Sequence, residues 1–178
     1  MKKSNLLIII IAIPLCILAF VALPWILIYF GILFSPNPPE PEITYAEFPL
    51  ELVYTIDEKT FTINDSYICE YDGIGMNEGV GKYIKWKKYF KNSKLEELIL
   101  YEKGEQKIVC DIGSPEYYMD DPDYYNTYAV QENLPRLFLI ETFENITKSH
   151  YLDDEEMANY RIEIISWKLS PPISNTNI

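Results

Sequence analysis

The sequence predicts a mainly β protein, with α+β as the wider class: one N-terminal transmembrane helix, then an antiparallel sandwich or barrel-like domain with a short C-terminal helix. Three observations predict it. Residues 6–34 run for 29 positions without a charge. Beyond them, apolar side chains recur with period two rather than 3.6. Turn-forming residues interrupt these runs at short intervals, as in proteins built from hairpins.

The uncharged run comes first. A helix crossing the ~30 Å hydrocarbon core needs roughly 20 apolar residues, and only a helix satisfies every backbone amide within one segment. A cleaved signal peptide has a shorter apolar region, about 7–15 residues, ended by a small-residue site. Ala19-Phe20-Val21-Ala22 supplies such a site, but Leu23-Pro24-Trp25-Ile26-Leu27-Ile28 carries the apolar run through it, so an uncleaved anchor is expected. Cys16 lacks the small preceding residue of a lipidated cysteine, since Leu15 stands there. Lys2 and Lys3 flank one end, and the next basic residue is Lys59. The positive-inside rule then places residues 1–5 in the cytoplasm, the span at 6–34 and the remainder outside the cell membrane. Pro14 and Pro24 each remove a helix hydrogen bond and bend the span. A single span without charge makes a pore or carrier role for this chain alone unexpected.

Residues 35–42 hold four prolines and predict an extended linker, standing the next domain roughly 20 Å off the bilayer. Residues 43–170 form the expected extracytoplasmic β-rich domain. Phe48, Leu50, Leu52, Tyr54 and Ile56 alternate with polar partners and predict a half-buried strand. Residues 57–59 read as a turn, and Asn64-Asp65 as a second one. Further strands are expected at 60–63, 66–71, 98–101, 107–112, 136–143 and 161–169, with Gly104 turning one hairpin. A short helix is expected near 152–160, capped by Asp153 and Asp154. Residues 171–178 are expected to be a disordered tail.

The chain carries −12 overall, and beyond residue 34 thirteen basic residues face 27 acidic ones. That balance excludes general nucleic-acid binding, which needs a positive field to displace counterions. Ile, Lys, Asn and Tyr supply 64 of the 178 residues and only two are Arg, a bias similar to that of AT-rich bacterial genomes. The stretches Ile68-Cys69-Glu70-Tyr71-Asp72-Gly73, Asn77-Glu78-Gly79-Val80-Gly81-Lys82 and Gly113-Ser114-Pro115-Glu116-Tyr117-Tyr118-Met119 resemble pieces of uncharacterised, membrane-anchored bacterial proteins. The resemblance covers about the central third of the chain. It implies an N-terminal anchor and an external domain, and brings no activity with it.

Candidate chemistry is sparse. Gly73-Ile74-Gly75-Met76-Asn77-Glu78-Gly79-Val80-Gly81 follows a strand but puts Glu78 where a dinucleotide loop needs its third glycine, so a flexible or bulged loop is expected. Six lysines lie between residues 82 and 94, interleaved with aromatics. As a strand, Ile84, Trp86 and Phe90 turn inward and Lys85, Lys87 and Lys91 outward, a candidate patch for an anionic partner set against a plain solvated face. Tyr117, Tyr118, Asp120, Asp121, Asp123, Tyr124 and Tyr125 form a candidate recognition loop, because tyrosines are rigid and amphipathic. The same carboxylates lack the spacing of a helix–loop–helix calcium site. Cys69 and Cys110 permit a disulfide outside the cell, or are buried thiols. His150 is the sole histidine, which excludes histidine clusters.

No cofactor and no metal site is expected. The first functional reading is a non-catalytic binding or interaction module at the cell surface, with the membrane, an envelope protein or an anionic wall polymer as partners. The second is an enzyme acting on envelope polymers through paired acidic residues.

Overall fold

The computed structural model describes residues 3–121, 134–144 and 146–175, with side chains from residue 11 onward. The chain is mostly β, with two antiparallel sheets, one N-terminal apolar helix and a short C-terminal helix. Two units are distinguished. One comprises residues 1–38 with 74–83, the other 39–73 with 84–178.

Helix α1, Lys3–Phe34, contains Pro14 and Pro24. Its stretch Ile11–Phe34 is long and apolar enough to cross a membrane, and none of its residues is buried. The helix ends where Ser35 donates both its backbone N–H and its hydroxyl to Ile32 O, at 3.1 and 2.7 Å.

The strands are β1 Tyr45–Ile56, β2 Lys59–Asn77, β3 Gly81–Phe90, β4 Leu98–Lys103, β5 Gln106–Asp111, β6 Arg136–Phe143, β7 Ile146–Tyr151 and β8 Ile162–Leu169. One sheet has the order β3-β2-β1-β8 and the other β4-β5-β6-β7. Within each sheet consecutive strands are neighbours, and β8 returns to β1. That is the cyclic order of an eight-stranded up-and-down barrel, parted between β3 and β4 and between β7 and β8.

Period two explains the packing. Phe48, Leu50, Leu52 and Tyr54 of β1 are buried, and they join Leu98, Leu100, Ile108, Cys110, Leu137 and Leu139 of the other sheet in one core. Each such side chain contributes about 1.5–3 kcal/mol when fully removed from water. Hydroxyls fasten the sheets together: Tyr54 Oη donates to Leu100 O at 3.1 Å, and Tyr67 Oη to Gly113 O at 3.3 Å.

The β1–β2 connection is a two-residue turn, with Ile56 opposite Lys59. Asp57 and Glu58 both have positive φ, 48° and 64°, as a turn that follows the strand twist requires. Gly104, at φ 62°, turns β4 into β5. Helix α3, Asp154–Asn159, begins at the expected cap: Asp153 accepts from Glu156 N, and the Glu156 side chain accepts from Asp153 N.

Three sequence expectations are corrected. Asn64 and Asp65 do not turn the chain; they pair in register with Glu51 and Leu50. The Asp65 carboxylate instead accepts from Asn92 N at 3.0 Å, holding the turn beyond β3. Residues 171–175 are not a loose tail. Buried Asn175 exchanges two 3.0 Å hydrogen bonds with the backbone of Ile43, and Ile173 N donates to Tyr118 O. The glycine stretch 73–81 is the tip of the β2–β3 hairpin, in which Gly75 lies beneath the Tyr83 ring.

Candidate functional site

The expected site residues fall into three places. On β3, Ile84, Trp86 and Phe90 are buried while Lys85 and Lys87 are exposed, as period two requires. Lys85 meets Asp72 at 2.5 Å, and Lys91 meets Glu47 at 2.9 Å. Lys87 lies over the Tyr89 ring, 5.6 Å from its centroid. Hydrogen bonding from Lys91 lowers the Glu47 carboxyl pKa, and hydrogen bonding from Lys85 lowers that of Asp72. Two of the three lysines therefore already have carboxylate partners. That arrangement fits a solvated, charge-balanced face.

The tyrosine-rich segment is a core element in its first half. Ser114 caps a single turn, α2 at Pro115–Tyr118, by accepting from Tyr117 N. Tyr118 packs against Phe48 and Tyr67 and donates to Ile112 O at 2.7 Å. Asp121, 3% exposed, accepts from Trp86 Nε1 at 2.9 Å. Asp120 accepts from Asn175 N at 3.3 Å. Tyr118 and Asp121 thus hold the core together instead of forming a recognition surface, and half-buried Tyr117 stacks edge-on against Tyr118. Asp123, Tyr124 and Tyr125 lie outside the described residues.

Cys69 and Cys110 are free, buried thiols on opposite sheets, not a disulfide. Burial pushes both up to about 12. Such thiols stay protonated and inert, since reactivity belongs to the thiolate. Among the described residues no cluster of three or more His, Cys, Asp or Glu could hold a metal ion.

A different place gathers ligand-binding features. At the parting between β7 and β8 lies a cleft of about 980 Å³. It is walled by the starts of β6 and β8, the end of β7, helix α3 and the β1–β2 turn. Its apolar lining comes from Leu137, Leu152, Met157, Ile162 and Ile164, and charge from Glu58, Arg136, Asp154, Arg161 and Glu163. The two arginines of the chain both stand here. Arg136, opposite Asp111 across the β5–β6 ladder, is ion-paired with it. Its Nε is buried and has no hydrogen-bond partner among the described residues. Arg161 fastens the far wall: its carbonyl accepts from Asp57 N at 3.1 Å, and its guanidinium lies 3.5 Å from the Asp57 carboxylate.

Beside the cleft, every described residue of β7 is exposed, on both faces. A sandwich strand ordinarily buries one face. Phe143, at the end of the neighbouring β6, and Ile146 and Tyr151 of β7 itself are all more than half exposed. Strand β7 was not legible in the sequence, because Ile146-Thr147-Lys148-Ser149-His150-Tyr151 contains no buried alternation to find. Among the described residues, the lining of the cleft contains no cysteine, serine or histidine. Its lining, with the edge of β7 that pairs only with β6 among the described residues, can hold a ligand through apolar contact, ion pairs and strand hydrogen bonds.

Comparison with family models, with curated proteins and with solved structures returned no match to this chain.

Proposed function

We propose that this chain is a membrane-tethered, non-catalytic binding module. In this reading residues 6–34 stay in the cell membrane, residues 1–5 lie in the cytoplasm, and the β-rich domain captures an extended segment of an envelope protein outside. The observation that carries it is β7: among the described residues it is exposed on both faces and pairs only with β6, beside an apolar cleft lined by both arginines. An added strand gains main-chain hydrogen bonds from an open edge, and neighbouring pockets select its alternate side chains. Exposed apolar side chains grouped beside such an edge are what a binding surface needs and what a solitary protein avoids.

The test is site-specific photocrosslinking of the full chain in intact cells. A benzophenone side chain at Tyr151, in the cleft, should yield a discrete protein adduct, and one at Glu51, outside its lining, should not. Ala158→Trp, which fills the cleft from α3, should remove the adduct without lowering the unfolding temperature. Equal adducts from both positions, or an adduct indifferent to Ala158→Trp, would sink the reading.

A further inference from the structure

The hairpin tip at residues 74–83 belongs to the same unit as α1 and residues 35–38, apart from the rest of the β domain. Lys82 explains that grouping. Its ammonium donates to Ser35 O at 2.7 Å and to Asn37 Oδ1 at 2.9 Å. Ser35 is the first residue beyond the apolar helix, so the base of the tip is fastened one residue from the end of the candidate span. The glycines make this hairpin possible. A side chain at Gly75 would collide with the Tyr83 ring, and Gly73 and Gly81 both sit at φ 87°. L-residues with side chains rarely adopt that conformation.

The tip presents apolar side chains where solvent exposure is hard to explain. Met76 is 45% exposed and Val80 40%. Tyr83, in the same hairpin, is of the type enriched at membrane interfaces. The only charges between residues 74 and 83 are Glu78 and Lys82, and Lys82 is already committed to the juxtamembrane backbone. A surface of this kind suits the zone between headgroups and acyl chains, where apolar side chains are buried to a shallow depth.

We infer that the tip of the β2–β3 hairpin is a second membrane contact, seating Met76 and Val80 in the outer interfacial layer of the bilayer beside the exit of α1. The inference rests on reading α1 as a membrane span. The contact is apolar, without basic side chains to recruit anionic lipid. It therefore forms on zwitterionic bilayers and persists in high salt, unlike a polybasic attachment. Its structural consequence is local: the tip and residues 35–38 move as one piece with the helix end.

Spin labels on the full chain in phosphatidylcholine nanodiscs test it. With Cys16 replaced by alanine, single cysteines are placed at Met76, at Val80, at Leu18 within α1 and at Glu105 in the β4–β5 turn. Accessibility to a water-soluble nickel chelate and to oxygen is then compared. The labels at 76 and 80 should be several-fold less accessible to nickel than that at 105, with no change in 1 M salt. In a Val80→Asp background the label at 76 should lose its protection. If the label at 18 is immersed while those at 76 and 80 match 105, the second contact is refuted and the span stands. If the label at 18 is itself open to nickel, the span reading fails and the contact fails with it.

Discussion

Trp86, on the inward face of β3, donates its indole N–H to the Asp121 carboxylate at 2.9 Å inside the core. The bond spans 35 residues of sequence and ties β3 to the segment after α2. A buried donor left without an acceptor costs about 1–3 kcal/mol, more than the bond itself contributes net. Asp121→Leu should therefore lower stability by about that amount, whereas Asp121→Asn keeps an acceptor and should lose less. Urea unfolding midpoints of the two variants decide it. Equal losses would show that the carboxylate's charge, and not its acceptor oxygen, matters at this position.

Alkaline pH should unfold the domain well before it damages the backbone. Burial raises the Cys69 and Cys110 thiols from 9.0 to about 12, and it raises the Tyr67 and Tyr118 phenols above their ordinary 10.0. These groups hold their protons more tightly when folded than when unfolded. The stability linked to the thiols is fully present below pH 9.0 and is lost as pH climbs toward 12. Unfolding free energies measured from pH 8 upward should fall through this window, and Cys110→Val should flatten part of the fall. A flat profile would contradict the burial of these side chains.

The cap of α3 also shapes the cleft. Asp153 Oδ1 accepts from Glu156 N at 2.9 Å, and Glu156 Oε2 accepts from Asp153 N at 3.2 Å. Asp153→Ala should cost about 0.5–2 kcal/mol, the usual range for a lost N-cap. Because both residues serve one box, adding Glu156→Ala should cost less than the sum of the single changes. Strict additivity in thermal or chemical unfolding would mean that the reciprocal bonds are not formed together. Met157 and Ala158 of this helix line the cleft, so the Asp153→Ala variant should also weaken the Tyr151 crosslink.

Strong periodicity was legible, and ambiguous polarity was not. The alternation Phe48-Leu50-Leu52-Tyr54 identified β1 and its inward face, and Asp153 announced α3, because each pattern serves a local rule. Asn64-Asp65 misled, since turn-forming side chains can also sit within a strand and hold a neighbouring turn by accepting its N–H. Tyr118 and Asp121 read as surface because carboxylates and phenols usually are. Their burial is supported by Trp86, 35 residues from Asp121, and by Ile112 O, six residues from Tyr118, and neither pairing leaves a trace in spacing. The cleft was illegible for the same reason. Its walls come from five segments between Thr55 and Ile164, brought together by the return of β8 to β1.

Orientation is tested in intact cells. With Cys16 replaced, a cysteine at Glu105 should react with a membrane-impermeant maleimide before lysis, while buried Cys69 and Cys110 stay silent. Labelling only after lysis would reverse the topology. Mass spectrometry of the membrane fraction should find Met1–Phe34 still attached; a mature N-terminus near Leu23 would turn the anchor into a cleaved leader.

The lysines of β3 and the turn after it give the last prediction. Tyr45 Oη donates to Glu47 at 2.7 Å, Lys91 donates to both Glu47 oxygens, and Lys85 pairs with Asp72. These pairs lie in solvent, where water and salt screen them and leave little for stability. Their effect is instead visible in titration. The folded pKa values of Glu47 and Asp72 lie below 4.5 and 3.8, chiefly through the lysine hydrogen bonds. The linked stability is present above those values and lost as pH falls through the depressed ones. Charge reversal by Lys85→Glu, Lys87→Glu and Lys91→Glu should bring both carboxyls back up, read by NMR titration, with a small change in unfolding temperature. Binding of the full chain in nanodiscs to a soluble anionic polymer such as polyphosphate should be as weak after reversal as before it, because carboxylates already occupy Lys85 and Lys91. A strong, salt-sensitive attachment that the triple reversal abolishes would restore the anionic-partner reading and assign it to this face.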